Sequence, residues 1–330
     1  MSHLKVFVTR RLPASLDSLQ ELASVEVWPE RQPPSSAVLQ QALGNSDGLL
    51  CLLTDPIDRA LIEAAPKLKV ISQMAVGYDN IDMAAATARR IPVGHTPDVL
   101  TDATADFAWT LLMAAARRVV EADRFTRANQ WRTWEPDLLL GSNIAGATLG
   151  IVGMGRIGQA VARRAQGFNM RILYTNPQRC DPTLEKALGA EFVEFDLLLQ
   201  AADFVTIHTP LTPETHHLFS DRQFEQMSRS AVLINTARGS IVDPDALCRA
   251  LSQGKIAAAA LDVTDPEPIP ADSPLLTFDN LIITPHIASA SRQTRERMAI
   301  MAIANLIAGL RGDRLPHCVN PEVYQPKIAQ

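Results

Sequence analysis

The sequence predicts an α/β protein with two doubly wound parallel sheets, its two lobes linked by long helices. Three observations carry this. Short apolar runs alternate with helical segments along the chain, the pattern of a parallel sheet covered on both faces. The run Thr148-Leu149-Gly150-Ile151-Val152 passes at once into Gly153-Met154-Gly155-Arg156-Ile157-Gly158, and the residues up to Gly167 then have helical spacing with Ala160, Val161 and Ala165 on an apolar side. A chain of 330 residues is long enough for two cores.

The first lobe reads in chain order. Residues 5–9 form a strand and 13–22 a helix. A strand at 25–28 is followed by the break Pro33-Pro34-Ser35 and a helix over 37–43. A strand at 48–53, a helix at 56–64 and a strand at 69–74 continue the alternation. A long helical pattern runs from 101 to 125, with Thr101 placed to cap it and Ala103, Phe107, Leu111, Leu112 and Ala115 on its apolar face. Residues 130–142 are irregular and aromatic, with Trp131, Trp134 and Pro136; they read either as a packed connector or as an arm toward a second copy.

The second lobe starts at Thr148. Its strands fall at 149–152, 171–174, 204–208, 231–235, 257–263 and 281–284. A last helix over 294–310 carries Met298, Met301, Ala302, Asn305 and Leu306 on a mixed face and returns the chain to the first lobe. Strand, G-x-G-x-x-G, helix is the signature of a Rossmann-like dinucleotide site. Gly153 allows the tight turn, Gly155 lets a pyrophosphate approach the backbone, and Gly158 lets helix and strand pack closely. The open N–H groups where the helix starts, at Arg156 and Ile157, then face the phosphates.

Composition narrows the partners. Apolar residues make up 47% of the chain and charged residues 20%, as in globular proteins. A net charge of −5 with no Lys/Arg block argues against nucleic acid or an anionic membrane. The longest apolar helical run, near 107–116, is too short to span a bilayer. Cys51, Cys180, Cys248 and Cys318 are scattered with no C-x-x-C, which predicts reduced thiols in a cytoplasmic setting, no zinc site and no disulfide frame. Residues 1–11 run straight into a strand without a signal-peptide core, and the chain closes compactly at Pro326-Lys327-Ile328-Ala329-Gln330.

Ligands of open parallel sheets bind beyond the carboxyl ends of the strands. Thr209, Pro210 and Thr215 follow the strand at 204–208. Thr236, Ala237, Arg238 and Gly239 follow 231–235. Asp262 and Glu267 follow the next strand, and His286 and Ser289 the last. An Arg fork is a natural clamp for a carboxylate. With a histidine and a carboxylate on the same rim, the set matches what reduction of an α-keto acid requires. A cation binds the carboxylate and polarises the carbonyl, a protonated imidazole donates a proton, and a carboxylate behind that imidazole orients it and favours its charged form. The hydride comes from a nicotinamide, consistent with the glycine loop. His95, His208, His216 and His217 are rival histidines; His216-His217 lies in polar sequence and reads as solvated or structural.

These motifs make the chain similar to the D-isomer-specific 2-hydroxyacid dehydrogenases, and most of all to their glyoxylate/hydroxypyruvate reductase branch. The resemblance spans nearly the whole length. Besides the glycine loop it includes Ala75-Val76-Gly77-Tyr78-Asp79-Asn80-Ile81-Asp82, Thr104-Ala105-Asp106, Asn235-Thr236-Ala237-Arg238-Gly239, Leu261-Asp262-Val263 with Glu267-Pro268, and Thr284-Pro285-His286-Ile287. It implies a discontinuous substrate domain, 1–100 plus 291–330, around a dinucleotide-binding domain at 101–290. It implies a homodimer built through the cofactor domain, with residues 131–141 reaching over. Arg238 would take substrate carboxylate and carbonyl, with His286 as acid/base and Glu267 as its partner. The backbone of Val76-Gly77 would bind the carboxylate, Leu53 would line the pocket, and Thr104 and Asp262 would lie beside the nicotinamide.

Sites specific for NAD place an acidic residue at the end of the second strand. Here the strand at 171–174 ends in Thr175-Asn176-Pro177-Gln178-Arg179, and the position eighteen residues after Gly158 is Asn176. With no carboxylate to repel a 2′-phosphate and Arg179 placed to meet one, the loop favours NADP(H), with NAD(H) left open. Two rival functions occur on the same fold. Phosphite dehydrogenase shares the fold and the Arg/Glu/His set, but that family has a lysine where this chain has Val76. A dinucleotide-sensing co-repressor of the same fold binds peptides and often has disordered flanks.

Overall fold

The structure is a computed structural model that describes residues 4–325; the expected compact end at 326–330 lies outside the described residues. The chain divides into two compact units, Met1–Leu100 with Ala290–Gln330, and Thr101–Ser289. Each is built on one parallel sheet, so the α/β, doubly wound class holds.

The discontinuous unit has strands β1 (Leu4–Val8), β2 (Ala23–Val27), β3 (Gly48–Cys51), β4 (Val70–Gln73) and the two-residue β5 (Val93–Gly94), in the order β2-β1-β3-β4-β5. β3 and β4 are buried at every position, as near-continuous apolar runs require. The helix Arg292–Arg311 packs on β3 and β4. Ser72 Oγ donates to the Ala302 carbonyl (2.7 Å), and fully buried Asn305 links His95 O to His317 N. Asn305 therefore belongs to a buried polar clamp rather than to an apolar face. The expected helix at 13–22 is only one turn, Asp17–Gln20.

The continuous unit has seven strands: β6 (Thr148–Val152), β7 (Arg171–Thr175), β8 (Ala190–Phe192), β9 (Phe204–Ile207), β10 (Val232–Asn235), β11 (Ala258–Leu261) and β12 (Leu281–Ile283). Their order is β12-β11-β10-β9-β6-β7-β8, every neighbouring pair parallel. The order reverses at β6, so the loop after β6 sits at the switch point where such sheets bind ligands. Register aligns the strand ends: Val152 pairs with Ile207, Ile207 with Asn235, Asn235 with Leu261, and Leu261 with Ile283. Gly153, His208, Thr236, Asp262 and Thr284 thus follow one row along one edge.

The helix expected over 101–125 is two helices, Thr101–Ala116 and Val119–Arg127. Thr101 lies inside the first rather than capping it. Arg118 takes a left-handed conformation (φ 52°) between them. The returning chain explains the break, because Ser142 N–H donates to the Ala116 carbonyl (2.8 Å) and removes it from the helical ladder. Arg118 then grips Glu121 through two hydrogen bonds of 2.8 and 2.7 Å. Within residues 130–142, Trp131, Trp134 and Leu140 are exposed, while Leu138, Leu139 and Ser142 are half-buried. Among the described residues, no helix is long and apolar enough to cross a membrane.

Candidate active site

The glycine loop has the geometry its sequence suggests. Gly153 has φ +100°, and a Cβ there would meet the His208 carbonyl and Thr209 N at 2.7–2.8 Å. A Cβ on Gly158 would lie 2.2 Å from Gly153 O, so helix and strand approach as closely as glycine permits. A Cβ on Gly155 would meet nothing within 4 Å, which leaves an open cradle over the loop. Gly155 caps the helix Arg156–Gln166 with no side-chain hydrogen bond, and Arg156 is exposed beside half-buried Ile157. Thr236 Oγ1, at the end of β10, is buried with no hydrogen-bond partner. An open cradle, a bare helix start and an orphaned hydroxyl on one rim fit a dinucleotide.

The turn carrying Arg238 is held from within. Fully buried Asn235 accepts from Ala237 N–H (2.9 Å) and donates to Arg238 O (2.8 Å). A Cβ on Gly239 would lie 1.9 Å from Thr264 O, so this turn packs against the loop that carries Glu267. Glu267 Oε1 lies 2.6 Å from His286 Nδ1, and the two side chains are 33% and 21% exposed. His286 has φ 54°, and its N–H donates to the carbonyls of Asp262 (2.9 Å) and Thr284 (3.0 Å).

Asp262 has a further use that sequence reasoning missed. Its side chain is buried, Oδ1 accepts from Thr284 Oγ1 (2.6 Å) and Ile287 N–H (2.8 Å), and Oδ2 accepts from Ala288 N–H (2.6 Å). Asp262 therefore fixes the loop on both sides of His286. The remaining cofactor candidates lie on the same unit. Thr104 is buried, and Thr209 and Ser289 are half-buried. The loop after β9 closes on itself through Thr215 Oγ1, which donates to the exposed Pro210's carbonyl (2.7 Å).

The turn after β7 differs from the sequence expectation. Asn176 Oδ1 accepts from Met154 N–H (2.7 Å), so its amide is spent on the glycine loop. Arg179 is not an uncommitted cation, since both oxygens of Glu185 accept from it, at 2.9 and 2.8 Å. Tyr174 OH also donates to Glu185 (2.5 Å). These partners lower the Glu185 pKa to about 2. A carboxylate, absent from residues 175–179, is thus brought there by the next helix, Pro182–Leu188. Gln178 is exposed.

Leu53, Val76 and Gly77 belong to the other unit, in loops after β3 and β4. Gln73 Nε2 donates to Gly77 O (3.2 Å), and His95 Nδ1 lies 3.0 Å from Val76 O. Asn80 Nδ2 donates to the carbonyls of Leu52 (3.1 Å) and Asp55 (2.8 Å). These loops are tied by side chains whose roles sequence reasoning did not assign. The rival histidines also resolve. His95 supports the Val76 loop. His208 is driven to a pKa of about 3 by burial and pairs with Thr206 Oγ1 (2.8 Å), so it stays neutral.

Residues 109–288 match the profile of the D-isomer specific 2-hydroxyacid dehydrogenase, NAD binding domain. The chain belongs to the D-isomer-specific 2-hydroxyacid dehydrogenase family and is an oxidoreductase acting on CH–OH, with a nicotinamide dinucleotide as cofactor. It is 53% identical over 323 residues to a glyoxylate reductase of Korarchaeum cryptofilum, covering 97% of each chain. A crystal structure of a Thermus thermophilus protein matches with TM-score 0.90 and 48% identity, covering 96% of this chain and 100% of that one. A glyoxylate reductase structure from Paecilomyes thermophila matches with TM-score 0.87 and 32% identity, covering 98% and 99%.

Proposed function

We propose that the enzyme reduces a small 2-keto acid, glyoxylate or hydroxypyruvate, to its 2-hydroxy acid, of D configuration where the product is chiral. The observation that carries this reading is the 2.6 Å contact between His286 Nδ1 and Glu267 Oε1. With Glu267 holding Nδ1, the proton for transfer is assigned to Nε2. A bound reduced nicotinamide supplies the hydride that reaches the carbonyl carbon. His286 delivers its Nε2 proton to the carbonyl oxygen, and Arg238 neutralises the carboxylate and polarises the same carbonyl. As the family resemblance implies, the backbone N–H groups of Val76-Gly77 also bind the carboxylate, and Leu53 lines its pocket. Relatives named glyoxylate reductase at about half identity support this substrate class. Val76, where phosphite dehydrogenases have a lysine, speaks against that rival.

NADP(H) is the favoured cofactor, with NAD(H) also used. Asn176 presents no charge against a 2′-phosphate, but Arg179 shares its own charge with Glu185. The enzyme acts as a cytoplasmic homodimer. Exposed Val119, Trp131, Trp134 and Leu140 support a partner surface on the cofactor unit, and four free thiols suit a reducing compartment.

Initial rates with NADPH and NADH, each with glyoxylate and hydroxypyruvate, test the reading, with phosphite plus NAD⁺ as a control. Turnover of keto acids, faster with NADPH, is expected. Turnover of phosphite alone would remove the substrate assignment and leave the fold standing.

A further inference from the structure

His216, His217 and Asp265 stand apart from the hydride-transfer reading; their side chains are partly exposed, yet they converge on one point. One nitrogen from each imidazole and one carboxylate oxygen lie within 4.8 Å of one another. The two rings stack, with centroids 4.0 Å apart and planes at 24°. His217 Nε2 is buried, has no hydrogen-bond partner, and lies 3.9 Å from Asp265 Oδ2. A buried ring nitrogen without a partner is costly in a folded protein and points to an absent ligand.

The backbone holds the three residues together. His217 has φ 50°, and its N–H donates to Ser240 O (2.8 Å). Phe219 bridges to Val242 beside it. Asp265 follows Thr264, whose carbonyl packs on Gly239 and whose hydroxyl donates to Pro266 O (2.8 Å). The segment after Arg238 is therefore the shared floor on which both His217 and Asp265 rest.

We infer that His216, His217 and Asp265 form a binding site for a divalent transition-metal ion. Two imidazoles and one carboxylate select a borderline ion of the Zn²⁺, Co²⁺ or Ni²⁺ type over Mg²⁺ or Ca²⁺, which favour all-oxygen sets. Ligand bonds of about 2.0–2.2 Å require the three donor atoms to draw in by roughly an ångström. Exposed His216 can supply that movement by rotating about its side-chain bonds. The fourth position is open to water. The expectation of no metal site rested on cysteine spacing, with the histidine pair read as solvated or structural.

The test is metal binding by the full chain, read without reference to turnover, so its failure is distinct from failure of the reductase reading. Chelator-stripped protein is titrated with ZnCl₂ by calorimetry, and with CoCl₂ by visible absorption. One saturable Zn²⁺ per chain is expected, with a rise in Tm and the absorption band of low-coordinate Co²⁺. His217→Asn keeps a residue that tolerates positive φ, Asp265→Ala removes the oxygen donor, and His216→Gln alters an exposed side chain that folding does not need. Each should weaken Zn²⁺ binding at least about tenfold, as loss of one of three ligands implies. His286→Ala should bind the ion as the parent does. No saturable site would overturn the inference. So would a site indifferent to all three variants, which would place the ion at free thiols or at the His286–Glu267 pair.

Discussion

Arg179 and Glu185 are joined by two hydrogen bonds, 2.9 and 2.8 Å long, so the one cation of the turn after β7 already faces a carboxylate. A 2′-phosphate must share that guanidinium with Glu185. Glu185→Gln keeps the side chain's shape and removes its charge. It should raise kcat/KM with NADPH about 3–10-fold over that with NADH, the size of one exposed charge contact. An unchanged cofactor ratio in initial-rate assays would separate Arg179 from cofactor choice.

Asp262 and the loop at 284–288 invite a second substitution. In Asp262→Asn one oxygen becomes an NH₂ group facing a backbone donor, either Ala288 N–H or Ile287 N–H. A buried donor pair of this kind costs about 1–3 kcal/mol, so Tm should fall. Because His286 rides on that loop, kcat should fall by at least about tenfold while cofactor affinity changes little. Loss of stability with unchanged kcat would confine Asp262 to folding.

The two ends of the glycine motif should respond differently. Gly155→Ala places a methyl in open space, so the apo protein should keep its Tm while dinucleotide binding weakens at least about tenfold. Gly158→Ala pushes a methyl into Gly153 O and should lower Tm, with a cost of about 1–3 kcal/mol from overpacking. Thermal unfolding with and without dinucleotide distinguishes the two. Equal behaviour would mean that the loop does not cradle phosphate.

Arg238→Ala should raise KM and lower kcat together, since the reading gives it both the carboxylate and the carbonyl. His286→Ala should abolish most turnover and spare dinucleotide binding. Stopped-flow rates beside cofactor titration check both. A variant that loses binding and turnover equally would owe its defect to folding.

His208 gives the pH prediction. Its folded pKa of about 3 lies below the ordinary 6.5, because burial disfavours the charged ring. The unfolded chain takes up this proton first, so the contribution to stability is complete above about pH 6.5 and is lost as pH falls toward 3. At pH 5 the loss reaches up to about 2 kcal/mol. In His208→Gln the drop in stability between pH 7 and pH 5 should shrink by a comparable amount in denaturant melts. An identical drop would assign it to other groups.

Long apolar strands were legible because burial on both faces leaves the sequence little choice, as at Leu149–Val152 and Val232–Asn235. The strands Val93–Gly94 and Ala190–Phe192 were not, because two or three residues carry no periodicity. Nor was the break at Arg118, where a carbonyl is claimed by a residue 26 positions beyond Ala116. In the site, the contact between His286 and Glu267 could be anticipated from what proton donation needs. The Arg179–Glu185 pair could not, since it depends on how the helix Pro182–Leu188 turns back on the loop. Asp262's partners are mainly backbone N–H groups, which leave no trace in side-chain identity.

The helix Arg292–Arg311 has a consequence for biosynthesis. It covers β3 and β4, and Gly48 is so close beneath it that an added Cβ would touch Leu306 at 3.0 Å. On the ribosome, the lobe begun by the first hundred residues must wait for this helix before its core closes. The lobe at 101–289 starts later yet has its whole sequence before that helix is made. Emergence order and completion order are therefore reversed, and the early strands are the ones that wait with apolar surface uncovered.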